Sequence, residues 1–330
     1  MGLYNDLLRR LQDVNECGGG AATFLLRQPV FDEIDNGAAN GDKTLIALRR
    51  ELLKRASNWT NVEDHEARRK LFDTYGEATF FLASTKFVGL EGIPGDSSST
   101  PDFQTLRKPN VRFEVKTLDI ADPMNNYSRQ MAEGREANIE ANNEAQRKGI
   151  GFSEHVIAPH GSAQTWSEVI EQTMRKLGNN IKQGQYADEP TFLVANLGRL
   201  SVRVDSEQLD ETCTIAASYT FEGVPADVSG HLWTIANHVP ETAFRWLDLD
   251  ERAHSAPIGQ AGVLRDYPFL QGIIFTTEPW SEFERQQDWR DAYAFLGVWN
   301  KDCTLDFQPA ATGEARRVLN AICMRIVDTR

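Results

Sequence analysis

The chain has 330 residues, 41% hydrophobic and 25% charged, which is the composition of a folded globular protein and leaves room for one large or two modest domains. It has no apolar run near the ~20 residues of a membrane span, so no membrane attachment is expected. The net charge of −13 argues against a protein that tracks freely along nucleic acid.

Residues 3–16 read as a short amphipathic helix, stopped by Cys17-Gly18-Gly19-Gly20. This segment is charged and has no secretory h-region, and Asp6 stands where a myristoylation signal needs Ser or Thr. The Gly run is not followed by Gly-Lys-Ser/Thr, so it is read as a turn rather than a phosphate loop. A second helix is predicted from about Thr44 to Ala56, with Asp42 as its N-cap. A longer helix, about 62–84, would be capped by Asn61 or Asp64; Leu71, Tyr75, Ala78 and Leu82 make its apolar stripe, and Glu77 lies in its apolar second half. "KFVGL" (86–90) reads as a strand and "EGIPGDSSST" as a loop.

A hairpin follows, with strands Asp102–Leu106 and Val111–Leu118 around the turn Arg107-Lys108-Pro109-Asn110. In "VRFEVKT" strand phase puts Val111, Phe113, Val115 and Thr117 on one side and Arg112, Glu114 and Lys116 on the other. Residues 119–160 are polar, with a helix near 125–147. A helix of about 163–183 carries the stripe Trp166, Ile170, Met174, Leu177 and Ile181, beside a polar ridge of Gln172, Lys176 and Gln183. "TFLVANL" (191–197) is the continuous apolar run of a strand buried on both faces. "LQGIIFTT" and "AFLGVWN" read as further strands, and "ARRVLNAICMRIV" fits helix or strand equally.

Charge is unevenly spread. Residues 1–118 carry 16 Lys and Arg against 17 Asp and Glu; residues 187–330 carry 12 against 22. The acidity is therefore C-terminal. Basic clusters at Arg49, Arg50, Lys54 and Arg55, at Arg68, Arg69 and Lys70, and at Arg107, Lys108 and Arg112 are read as solvated faces and loops.

Pro101-Asp102 and Glu114-Val115-Lys116, bracketing one hairpin, carry the strongest chemical signal. Two carboxylates on adjacent strands can converge on a hard divalent cation, and a lysine two residues past the second shares its face. The competing reading is a cross-strand ion pair on an exposed hairpin face. With the order helix, three strands, helix, strand around it, the stretch from about 62 to 200 resembles the PD-(D/E)xK nuclease superfamily, the restriction-endonuclease-like fold. The resemblance implies an α/β protein whose mixed β-sheet is flanked by helices (an αβββαβ core). Residues 1–60 would form an N-terminal helical segment, 61–200 the core with its polar insert at 119–160, and 201–330 an acidic α/β extension packing on the core sheet.

The same resemblance implies a Mg²⁺-dependent deoxyribonuclease, with Mn²⁺ able to substitute. Asp102, Glu114 and the Val115 carbonyl would hold the metal. Lys116 would position water or neutralise phosphate, and Glu77 would join from the preceding helix. Gln172, Lys176 and Gln183 are candidates for phosphate or water contacts. The expected substrate is DNA, cut in restriction or another bacterial defence role, with a protein partner or a homodimer bringing two sites to a duplex. RNA or single strands, and a non-catalytic binding or scaffold role, are the alternatives.

The remaining candidates are bland. Cys17, Cys213, Cys303 and Cys323 form no Cys-x-x-Cys pair and suit free thiols in a reducing cytoplasm. His155 and His160 lack an acidic partner, and His231 and His238 read as packed or surface histidines. Asp248 and Asp250 lack the rest of a calcium loop. Trp246, Trp280, Trp289 and Trp299 read as core or interface.

Overall fold

The computed structural model describes residues 2–14, 26–61, 64–94, 100–118, 139–149, 165–179, 181, 183–197, 206–214, 227–247, 252–277 and 289–329. His155, His160, Asp248, Asp250, Trp280 and most of the polar insert lie outside them.

The N-terminal part is helical: α1 (Leu3–Arg10), α2 (Gln28–Ala39), α3 (Lys43–Asn58) and α4 (His65–Ser84). Local chemistry sets two of the starts. Asp42 accepts the Leu45 N–H at 3.0 Å at the head of α3, and Asp64 accepts the Ala67 N–H at 2.9 Å at the head of α4. Each cap stabilises its helix by about 1 kcal/mol. α2 begins with Pro29 in its first turn and was not anticipated. Its Val30, Phe31 and Ile34 are buried with Leu3 and Leu7 of α1 and Leu45, Leu48 and Leu52 of α3.

Seven strands form one mixed sheet in the order β1-β2-β3-β4-β9-β10-β11. They are β1 (Leu90–Gly92), β2 (Phe103–Thr105), β3 (Arg112–Thr117), β4 (Thr191–Asn196), β9 (Gly272–Thr277), β10 (Ala294–Trp299) and β11 (Arg325–Asp328). β1, β2 and β3 run antiparallel to one another in turn, β3, β4 and β9 are parallel, β10 opposes β9, and β11 is parallel to β10. The C-terminal part thus supplies three of the strands as well as packing around the sheet.

Alternation sorts the strand residues onto two cores. Phe113, Val115, Phe192, Val194 and Ile274 pack with α1–α4 and with Val318 and Leu319 of the C-terminal helix Pro309–Ile322. Leu193, Ala195, Ile273, Phe275, Leu296 and Val298 pack against α5 (Trp166–Gly178) and α6 (His231–Asn237). β4 lies between parallel neighbours with helices on both faces, which is why "TFLVAN" carries no alternating polar residue. Among the described residues the C-terminal part also holds two small antiparallel strand pairs, the β5–β6 (Thr212–Thr214, Asp227–Ser229) and β7–β8 (Ala243–Leu247, Ala253–Pro257) hairpins.

Several boundaries differ from the sequence reading. Residues 85–88 turn instead of forming a strand, because the Phe87 and Val88 N–H groups both bond back to the Ser84 carbonyl; β1 starts at Leu90. α5 opens with a reciprocal Thr165–Glu168 capping box but ends at Gly178, where Tyr267 Oη donates to the Gly178 carbonyl at 3.0 Å. Gln183 therefore lies beyond the helix, exposed in a 3₁₀ turn (Gln183–Gln185), and the ridge Gln172–Lys176–Gln183 is not one helical face. The run "ARRVLNAICMRIV" is both structures in succession: helix to Ile322, then β11 from Arg325. Within 119–160 the described helix covers 139–147.

Candidate active site

β2 and β3 pair with Phe103 opposite Phe113 and Gln104 opposite Arg112. Both phenylalanines enter the α1–α4 core, so Glu114 and Lys116 turn to the other face. The ladder ends at Pro101, which has no N–H to give. There Asp102 takes over with its side chain: Oδ2 accepts the Val115 N–H at 2.7 Å, while its own N–H donates to the Phe113 carbonyl at 3.0 Å. In a strand the N–H and C=O of one residue point to the same side, so the Val115 carbonyl also points toward the β2 edge. Lys116 Nζ lies 3.0 Å from Glu114 Oε1, in an ion pair whose side chains are 22% and 9% exposed.

α4 brings further carboxylates. At Gly76 a Cβ would stand 1.9 Å from Thr117 Oγ1 and 3.2 Å from Asn196 Nδ2. Only glycine lets the helix run this close to the C-terminal ends of β3 and β4. The approach carries Asp73 and Glu77, one turn apart and both half-buried, to the hairpin. Burial raises the Glu77 carboxyl well above its ordinary range, and the charges of Asp102, Asp73 and Glu114 raise it further, against a lowering by Arg55. Asp102 is pushed up to about 8 by burial and then by Glu114; the Val115 N–H and Lys116 oppose the rise, and Asp73 adds to it. Four carboxyl groups thus share one electrostatic environment with the Lys116 ammonium beside them.

No family model, curated protein or solved structure matches the chain. Among the described residues no three His, Cys, Asp or Glu side chains form a ready-made metal cage. The donor set is smaller: the Asp102 and Glu114 carboxylates with the Val115 carbonyl. Such a set fits Mg²⁺, which keeps several waters and takes one or two protein carboxylates together with substrate phosphates. The elevation of the Asp102 carboxyl by burial and by the Glu114 charge is what a bound cation would relieve.

The structure brings together Glu77, Asp102, Glu114 and Lys116 of the sequence-predicted residues. Gln172 and Lys176 sit half-buried on α5, the helix flanking the face from which Glu114 and Lys116 project. Sequence reasoning missed two residues. Asp73 stands four before Glu77 on one helix face, a spacing that was available to read. Tyr186 is 1% exposed, just ahead of β4, and its hydroxyl has no hydrogen-bond partner among the described residues. Burial pushes that phenol up, and the Glu114 and Asp102 charges add to the rise.

The other candidates serve structure. His238 Nε2 donates to the Ile258 carbonyl at 3.1 Å, and His231 stacks on Trp166 with ring centres 5.1 Å apart. Trp246, Trp289 and Trp299 are buried. Arg55, Arg69 and Lys70 pair with glutamates on their own helices, while Arg68, read as solvated, is only 2% exposed.

Proposed function

We propose that this chain is a metal-dependent nuclease of the PD-(D/E)xK type, with a restriction-endonuclease-like arrangement of α4, β1, β2, β3, α5 and β4. The observation that carries the proposal is the pinned pair Asp102 and Glu114 with Lys116 bonded to Glu114, in a cluster of carboxylates that elevates Asp102. Asp102, Glu114 and the Val115 carbonyl would hold Mg²⁺ or Mn²⁺, which supplies Lewis acidity and a bound water of lowered pKa. The chain's own groups do the rest. The Val115 N–H fixes the Asp102 carboxylate at the hairpin. Lys116 keeps its ammonium beside Glu114, where an incoming phosphate would share it. Glu77, whose carboxyl is raised well above its ordinary range by burial and by its acidic neighbours, holds its proton more tightly than a free carboxyl, and in that protonated form would donate a hydrogen bond to a phosphate oxygen.

DNA is the proposed substrate, with RNA or single strands as the alternative. The net −10 of residues 187–330 supports delivery of DNA by a partner or by a second copy of the chain, rather than free tracking. A restriction or other bacterial defence role follows by analogy with the superfamily. Among the described residues no helix is long and apolar enough to cross a membrane.

The test is cleavage of supercoiled plasmid, linear duplex, single-stranded DNA and RNA with Mg²⁺, Mn²⁺ or EDTA. Metal-dependent cleavage is expected, falling at least ~100-fold in Glu114→Ala and Lys116→Ala. Cleavage that persists unchanged in both variants removes the assignment.

A further inference from the structure

A second site lies on the C-terminal part. A cleft of about 340 Å³ opens between α6 and the β5–β6 and β7–β8 hairpins, large enough for a small organic ligand. It shares no lining residue with the Asp102–Glu114 site. Its wall includes Trp233, Thr234, Asn237, Arg245, Arg265 and Glu211.

Three features define the ligand. First, two arginines, Arg245 and Arg265, line the cleft in the most acidic third of the chain. Neither Arg245 nor Arg265 meets a carboxylate among the described residues; Arg265 uses its Nε on the Asn237 carbonyl at 2.7 Å, and Arg245 is exposed on β7. Two such forks suit a phosphate. Second, the half-buried Trp233 offers an indole to a planar ring. Third, Asn237 is 4% exposed, and its Nδ2 has no partner among the described residues. An orphaned buried donor of this kind costs stability, and its soft terminal torsion lets a ring acceptor recruit it. His238 adds no charge, since burial lowers its pKa and its Nε2 is committed to the Ile258 carbonyl.

We infer that this cleft binds a 5′-mononucleotide, with the phosphate on Arg245 and Arg265, the base against Trp233, and Asn237 at the base edge. The inference stands apart from the nuclease reading. A sugar phosphate would leave the indole unused, and a nucleoside would leave both arginines unused.

Calorimetry of the full chain in EDTA, with adenosine 5′-monophosphate, adenosine, inorganic phosphate and a 5′-phosphorylated trinucleotide, tests it. The monophosphate is expected to bind with Kd of about 100 μM, at least ~10-fold more tightly than adenosine or phosphate. Binding should weaken ~10-fold in Arg245→Gln and several-fold in Trp233→Leu, and should be unchanged in Glu114→Gln. Trinucleotide binding alongside the monophosphate assigns the cleft to a strand end; monophosphate alone assigns it to a free nucleotide. Three outcomes overturn the inference: no binding up to about 5 mM, phosphate binding as tightly as the nucleotide, or binding untouched by both cleft variants.

Discussion

The elevated Asp102 carboxyl should make the metal-free protein lose stability as pH rises. Its pKa goes from 3.8 to about 8 on folding, so between those values the folded chain holds a proton that the unfolded chain has released. This contribution is fully present below about pH 4 and is lost as pH climbs through about 8. One proton is worth ~1.4 kcal/mol per pH unit, or ~4 kcal/mol across pH 5 to 8. Asp102 keeps some solvent contact, which screens part of this and leaves about 2 kcal/mol. Urea unfolding at pH 5, 6, 7 and 8 in EDTA measures it. Wild type should fall more steeply than Asp102→Asn by about that amount. Adding Mg²⁺ at pH 8 should restore wild-type stability by ~1.4 kcal/mol for each tenfold excess over Kd, and should not restore the variant. Equal pH slopes in the two proteins, or equal responses to Mg²⁺, would refute the electrostatic account.

Three further outcomes follow from the packing. Gly76→Ala sets a Cβ against Thr117 and should destabilise by ~1–3 kcal/mol in urea, while reducing metal-dependent cleavage by moving Glu77; wild-type values in both assays would mean the close approach is unnecessary. Lys116→Met leaves Glu114 buried without its cation and should cost about 3 kcal/mol in the metal-free protein, most of it recovered in Lys116→Met/Glu114→Gln, and a double variant no more stable than the single one would contradict the ion pair. Tyr186→Phe removes a buried hydroxyl with no partner among the described residues and should raise stability by about 1 kcal/mol, whereas a loss of that size would reveal a partner for it.

The hairpin was legible because strand phase needs nothing beyond neighbouring residues: "RFEVK" alternates, and Glu114 and Lys116 fall on one face as read. The Asp42 and Asp64 caps were legible for the same local reason. What escaped depends on contacts distant in sequence. α5 stops at Gly178 where Tyr267, 89 residues away, bonds to it, and periodicity alone carried the helix too far. Asp73 looks like an ordinary solvated carboxylate until Gly76 presses its helix onto Thr117 and Asn196. Tyr186 gave no signal, since a lone tyrosine before a strand is usually core. The C-terminal run was ambiguous because its helical and strand halves are both apolar, with the break at Cys323.

The most direct measurement is the anomalous scattering of a crystal soaked in Mn²⁺. A Mn²⁺ peak held jointly by the Asp102 and Glu114 carboxylates and the Val115 carbonyl, and lost in Glu114→Gln, is the predicted result. Asp102 and Glu114 without a metal peak at saturating Mn²⁺, or a peak that survives the substitution, would contradict the account.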